Sequence, residues 1–120
     1  RGCTVGKVLI IDDDQMMGKA VSTLAKRMGH KAVVAFTLED GMKKASEGAF
    51  DVVFLDVMMP DGSGLGILPQ IAATESEPEV IVITASGDPE GAELAIKEGA
   101  WDYVEKSASI QDLLVPLVLP

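Results

Sequence analysis

Short β-branched runs alternate with amphipathic helical stretches five times along this chain, and that alternation leaves few folds open. Strands are expected at Val8–Ile11, Ala32–Ala35, Val52–Leu55, Val80–Ile83 and Tyr103–Glu105. Each is a nearly continuous apolar run without polar alternation, as a parallel sheet covered on both faces requires. The last run is the least apolar and suits an edge. Between the strands the helical period is plain. Met17, Ala20, Val21, Leu24, Ala25 and Met28 form one stripe. Ala92, Ala95, Ile96 and Gly99 form another, and Ile110, Leu113, Leu114, Leu117 and Val118 a third. Weaker helices are expected at about Leu38–Glu47 and Leu65–Thr74. Gly29, Gly48 and Gly99 stand where a left-handed helix C-terminus favours glycine. Thr37 with Asp40, and Ser109 with Asp112, read as capping boxes with Asp in place of Glu. Asp88-Pro89 offers an N-cap followed by proline at the first helical position. Strand and helix in strict alternation mean a parallel sheet, right-handed crossovers and helices on both faces. The whole of 1–120 reads as one (βα)5 domain.

Composition narrows the function classes. At 120 residues, 48% hydrophobic and 24% charged, the chain is globular rather than disordered. Folding at this length buries roughly two-thirds of the extended surface, enough for a core without staples. One cysteine (Cys3) and one histidine (His30) exclude a disulfide scaffold and leave little for a zinc cluster. Nineteen acids against ten bases give a net charge of −9, which disfavours nucleic acid or an anionic membrane as direct partner. Val8–Ile11 and Leu113–Leu119 are the longest apolar stretches and fall far short of a bilayer span. Nor does the N-terminus resemble a secretory leader. A cytoplasmic location is expected. The chain has no initiator methionine and stops at Pro120 just after a helical pattern, so a longer parent protein is expected.

In such sheets ligands bind beyond the carboxyl ends of the strands. Asp12, Asp13 and Asp14 follow the first strand, Asp56 the third, Thr84 the fourth, and Lys106 ends the fifth. Two carboxylates about 4 Å apart repel by roughly 4 kcal/mol at an effective dielectric near 20. A folded domain relieves that by protonating one carboxyl or by binding a cation between them. A hard divalent ion held by carboxylates, waters and a phosphate oxygen is the usual magnesium arrangement. A lysine and a hydroxyl facing it complete the parts that phosphoryl transfer requires. The plainer readings differ by residue. Asp14 is best taken as a helix cap. A turn role for Asp56 is weak, because Asp61 and Gly62 already supply the turn. Thr84 alone would be a strand residue and Lys106 alone a solvated surface group; their shared edge makes the difference.

Those residues resemble the receiver domain of two-component response regulators over essentially the whole chain. The resemblance rests on Val8-Leu9-Ile10-Ile11-Asp12-Asp13-Asp14, on the run from Phe54 through Asp56-Val57-Met58-Met59-Pro60-Asp61-Gly62-Ser63-Gly64, on Ile83-Thr84-Ala85, and on Gly99 through Lys106. It implies a flavodoxin-like five-stranded parallel sheet of order 2-1-3-4-5. It implies that Asp56 accepts a phosphoryl group from a sensor histidine kinase. Asp12, Asp13, Asp56 and the backbone carbonyl of Met58 would hold Mg2+, and Thr84 and Lys106 would contact the phosphoryl oxygens. Tyr103 matches the aromatic switch residue. The implied partners are the kinase, the parent protein's own C-terminal output domain, which would act in transcription, and a second copy in a homodimer.

One departure stands out: Ser107 follows Lys106 where the family usually has proline after a cis peptide. A cis bond before a non-proline residue costs about 3 kcal/mol, so a trans loop and a less firmly aimed lysine are expected. The stretch from Asp88 to Tyr103 also resembles receivers of activators that work with the nitrogen-type sigma factor. Other classes fit less well. A haloacid-dehalogenase-type phosphatase would use Asp12-Asp13-Asp14-Gln15-Met16, yet Met16 breaks its pattern and Asp56 goes unexplained. A flavodoxin would set three aspartates against a flavin phosphate. A degenerate partner-binding receiver would dispense with the acids that are present. Trp101 is expected to pack locally, and Met58, apolar two residues beyond Asp56, predicts a long-lived phosphoryl group.

Overall fold

A computed structural model describes residues 6–85 and 89–105. Five parallel strands form one sheet: β1 (Lys7–Ile11), β2 (Lys31–Ala35), β3 (Val52–Asp56), β6 (Glu79–Thr84) and β7 (Asp102–Glu105). Their order is β2-β1-β3-β6-β7, which is the expected 2-1-3-4-5 once a small hairpin, β4 (Met58–Met59) with β5 (Gly62–Ser63), is set aside. Each strand begins or ends within a residue of its predicted bounds, and β3 and β6 run on to include Asp56 and Thr84.

The strands read as continuous apolar runs because each face has its own core. Leu9, Ile11, Val53, Leu55, Val80 and Val82 point to one cluster, and Val8, Ile10, Val52, Phe54, Ile81 and Ile83 to the other. Helix α1 (Gln15–Arg27) covers the second face through Val21 and Ala25. Helices α2 (Leu38–Glu47), α3 (Leu68–Ala72) and α4 (Pro89–Lys97) cover the first through residues such as Leu38, Ile71 and Ala95. Every central side chain of β1 is fully buried. At about 25 cal/mol per Å2, such apolar burial is the main favourable contribution to the fold.

Several local features differ from expectation. The helix expected over 65–74 is a 3-10 turn at Gly64–Gly66 followed by the short α3, with Pro69 in its first turn. Gly66 and Pro69 explain why regular helix starts late. Gly29 (φ 92°) and Gly99 (φ 112°) are left-handed, but Gly48 is not, with φ −105°. Glycine stands there for space, since a Cβ at Gly48 would lie 2.6 Å from the Phe50 ring. Thr37 caps α2 by accepting from the Asp40 amide, whereas the Asp40 carboxylate takes the Lys44 ammonium one turn on. Ile96 belongs to no core stripe and is half exposed, and Trp101 is more than half exposed rather than packed. The last helix, the Ser109–Asp112 capping box, Asp88 and the Lys106–Ser107 peptide lie outside the described residues.

Candidate phosphoryl and metal site

The carboxyl edge of the sheet gathers the predicted acids. The amide of Asp12 donates to Ala35 O at 3.0 Å, which extends the β1–β2 ladder by one bond and fixes where the chain leaves the sheet. Asp12 Oδ1 then accepts from the Asp14 amide at 3.0 Å. Asp14 turns outward to cap α1, accepting from the Met16 and Met17 amides. The triple-acid run thus divides as expected, with Asp14 capping and Asp12 and Asp13 remaining at the strand end.

Asp56 ends β3, one strand over. The Val57 amide donates to Ile83 O, carrying the backbone on along β6, and the chain then doubles back as the β4–β5 hairpin. The Met58 amide donates to Asp56 Oδ1 at 3.2 Å and sets the rotation of that carboxylate. The chain leaving β5 passes over Asp56 so closely that a Cβ at Gly64 would sit 2.0 Å from Asp56 O. Only glycine fits, and its amide closes the loop onto Val57 O at 2.7 Å.

One carboxylate oxygen each from Asp12, Asp13 and Asp56 lies within 4.8 Å of the others; Asp12 and Asp56 are buried and Asp13 is exposed. Three hard oxygen donors at that spacing suit Mg2+ and not a soft metal. Each ionised pair costs about 3.5 kcal/mol at 4.8 Å and an effective dielectric of about 20, a repulsion that a divalent cation reverses. The donor set therefore fits the ion that the sequence implied.

Thr84 closes β6 and is buried. In register Val82 pairs with Tyr103 and Thr84 with Glu105. Side chains two apart on a strand share a face, so Thr84 and Tyr103 stand on one face of adjacent strands. Tyr103 is half-buried against the cluster on that face, which Ala95 of α4 also enters. Met58 has its side chain exposed. Lys106 lies outside the described residues.

Two structural contacts near the site are not foreseen from the sequence. Gly64 acts through a contact eight residues away that no local pattern marks. Asp61 looks like a turn residue, but its carboxylate accepts from the Leu38 amide at 2.9 Å and the Glu39 amide at 3.1 Å. Those hydrogen bonds, Leu38's first and Glu39's next, hold its carboxyl below the usual aspartate range. The only signal is indirect: Thr37 leaves two amides of the first turn of α2 without a local cap.

Residues 8–117 match the response regulator receiver domain. The chain belongs to that family. The receiver family is regulatory rather than catalytic, and its members serve as phosphorylation switches in two-component systems. The chain is 31% identical over 109 residues to the uncharacterised transcriptional regulatory protein YkoG of Bacillus subtilis, covering 91% of this chain and 48% of that one. It thus spans about half the length of the curated relatives it matches. A CheY-like receiver domain from Methanospirillum hungatei superposes with TM-score 0.88 at 23% identity, over 95% of this chain and 91% of that one, which establishes the fold. The beryllofluoride-activated NtrC4 receiver domain dimer is 35% identical with TM-score 0.85, over 92% of each chain. Among the described residues no helix is long and apolar enough to cross a membrane.

Proposed function

We propose that Asp56 is the phosphoacceptor of this domain and that Asp12, Asp13, Asp56 and the Met58 carbonyl hold the Mg2+ that the transfer requires. The observation that carries the reading is the convergence of three carboxylates from two strand ends, two of them buried, around one point. Clustered like charges of this kind are concentrated at functional sites.

In the transfer, one oxygen of Asp56 attacks the phosphorus of a phosphohistidine on a sensor kinase. The P–O bond forms as the P–N bond breaks, and the departing imidazole takes up a proton. Magnesium, when bound, neutralises charge on the transferring oxygens and on the acids around them. The residues of the chain orient the reaction. Met58's amide fixes the Asp56 carboxylate, the Val57–Gly64 closure holds the loop that carries it, and Asp12 is anchored through its own amide to β2. Thr84 and Lys106 are assigned to the phosphoryl oxygens.

Movement of Thr84 toward a phosphoryl group would open space on the face it shares with Tyr103, which supports Tyr103 as the switch. The change would reach α4, where Leu94 and Ile96 are exposed, and β7, which the exposed Trp101 precedes. That face suits a contact to an output domain of the parent protein, which would act in transcription in the cytoplasm, or to a second copy. The NtrC4 likeness is compatible with the nitrogen-type subgroup. Phosphorylation shifts a two-state population rather than building a new structure. Met58 offers no side-chain hydrogen bond to an attacking water, so the phosphoryl group is long-lived. The test is intact mass after incubation with a small phosphodonor. One phosphoryl group that requires Mg2+ and is lost in Asp56→Asn is expected; an unmodified wild-type chain would refute the assignment.

A further inference from the structure

The β4–β5 hairpin is held from two directions: at its base, where Met59 is buried in the same core cluster as Leu38, and at its tip by the Asp61 side chain. On the inner side the loop closes through Val57 and Gly64. On the outer side Asp61, at the hairpin tip, reaches the start of α2, 23 residues back in the chain, with one carboxylate oxygen on the Leu38 amide and the other on the Glu39 amide. The first turn of α2 is then fully satisfied: Asp61 takes its first two amides, Thr37 Oγ1 takes Asp40's, and the Gly41 amide begins the helical ladder on Thr37 O.

Helix α2 is itself wedged onto the other half of the site. A Cβ at Gly41 would meet Ile11 at 2.6 Å, so the helix backbone lies directly on the residue that precedes Asp12. The N-terminal end of α2 therefore rests on Ile11, just before Asp12 and Asp13, and also grips the loop after Asp56. We infer that Asp61 is a positioning residue for the metal and phosphoryl site, clamping the Met58 hairpin to α2 and so fixing its distance from the acidic pair. The inference rests on the proposed role of the acidic cluster. Asp61 is not one of the three converging carboxylates; it acts through the loop. Groups that orient metal ligands from one layer out commonly change metal affinity by tenfold or more.

The test compares Asp61→Ala with Thr37→Ala, which removes a cap from the same helical turn and leaves the hairpin clamp intact. Magnesium affinity is read by calorimetric titration, and amide exchange of Leu38, Glu39 and Met58 is read by NMR on the metal-free domain. Asp61→Ala is expected to weaken magnesium binding about tenfold and to speed exchange at all three amides. Thr37→Ala should leave magnesium affinity and Met58 exchange near wild type, and Asp61→Asn, which keeps one acceptor oxygen, should fall between. Equal effects of Asp61→Ala and Thr37→Ala on magnesium would reduce Asp61 to a helix cap and overturn the inference. Unchanged Met58 exchange in Asp61→Ala would do the same without reference to metal. Absence of magnesium binding by the wild type would instead refute the site assignment beneath it.

Discussion

Replacing Asp56 by Asn should stabilise the metal-free domain, an unusual outcome for a buried residue at the end of a central strand. Asp56 has two carboxylate neighbours within 4.8 Å. Its repulsion with the buried Asp12 is about 3.5 kcal/mol at an effective dielectric of about 20. The exposed Asp13 adds less, because solvent screens it. Asparagine keeps the shape and can still accept from the Met58 amide. Against this, its new amide protons require partners in a buried site, a cost of about 1 to 2 kcal/mol. Counting only the repulsion among these acids, the balance is about 2 kcal/mol in favour of Asn. For 120 residues that corresponds to a rise in Tm of roughly 8 °C, or a urea midpoint higher by about 1 M. Both are measured in excess chelator. Saturating Mg2+ should reverse the ranking, since it stabilises only the protein that binds it, in proportion to the logarithm of its concentration. A variant no more stable than wild type in chelator would show that the three acids do not repel as the geometry requires.

Other substitutions separate steric from conformational glycine. Gly64→Ala drives a Cβ into Asp56 O and should cost about 3 kcal/mol or more by urea unfolding. Gly29→Ala has nothing within 4 Å and should cost only the left-handed penalty of about 1 kcal/mol. Asp61 makes a pH prediction. Its folded carboxyl titrates below its unfolded value, so its contribution is complete above the ordinary aspartate value of about 3.9. That contribution is lost as pH falls through the depressed folded value. The stability gap between wild type and Asp61→Ala should therefore be flat at neutral pH and close in acid; a gap that widens in acid would contradict the hydrogen bonds to Leu38 and Glu39. Met58→Asn, which supplies a hydrogen-bonding side chain beside the phosphoryl group, should speed dephosphorylation severalfold, and an unchanged lifetime would remove Met58 from the explanation.

Features encoded in short windows, or in the residues just beyond each strand, are legible in the sequence. The apolar runs reveal β1, β3 and β6 because both faces of a central strand are buried, and the strand ends reveal Asp12, Asp13, Asp56 and Thr84. Features that depend on contacts between distant segments stay hidden. Gly48, Gly41 and Gly64 are needed for Phe50, Ile11 and Asp56 O, which no left-handed backbone rule detects. The Asp61 clamp spans 23 residues and appears only once α2 and the hairpin are side by side. Apolar spacing overstates α3 because it continues through the 3-10 turn at Gly64–Gly66, where backbone constraints override the pattern. Size and apolarity suggest that Trp101 packs, yet single exposed apolar residues are common on folded surfaces.

The buried carboxylate at the end of β3 is proposed to carry the phosphoryl group. The most direct measurement is borohydride reduction of the phosphorylated domain and then peptide mapping, since hydride converts an aspartyl phosphate to homoserine and marks its position. Homoserine is expected at position 56 alone, formed only when Mg2+ was present during phosphorylation. Homoserine at position 12 or 13, with Asp56 unmodified, would contradict it.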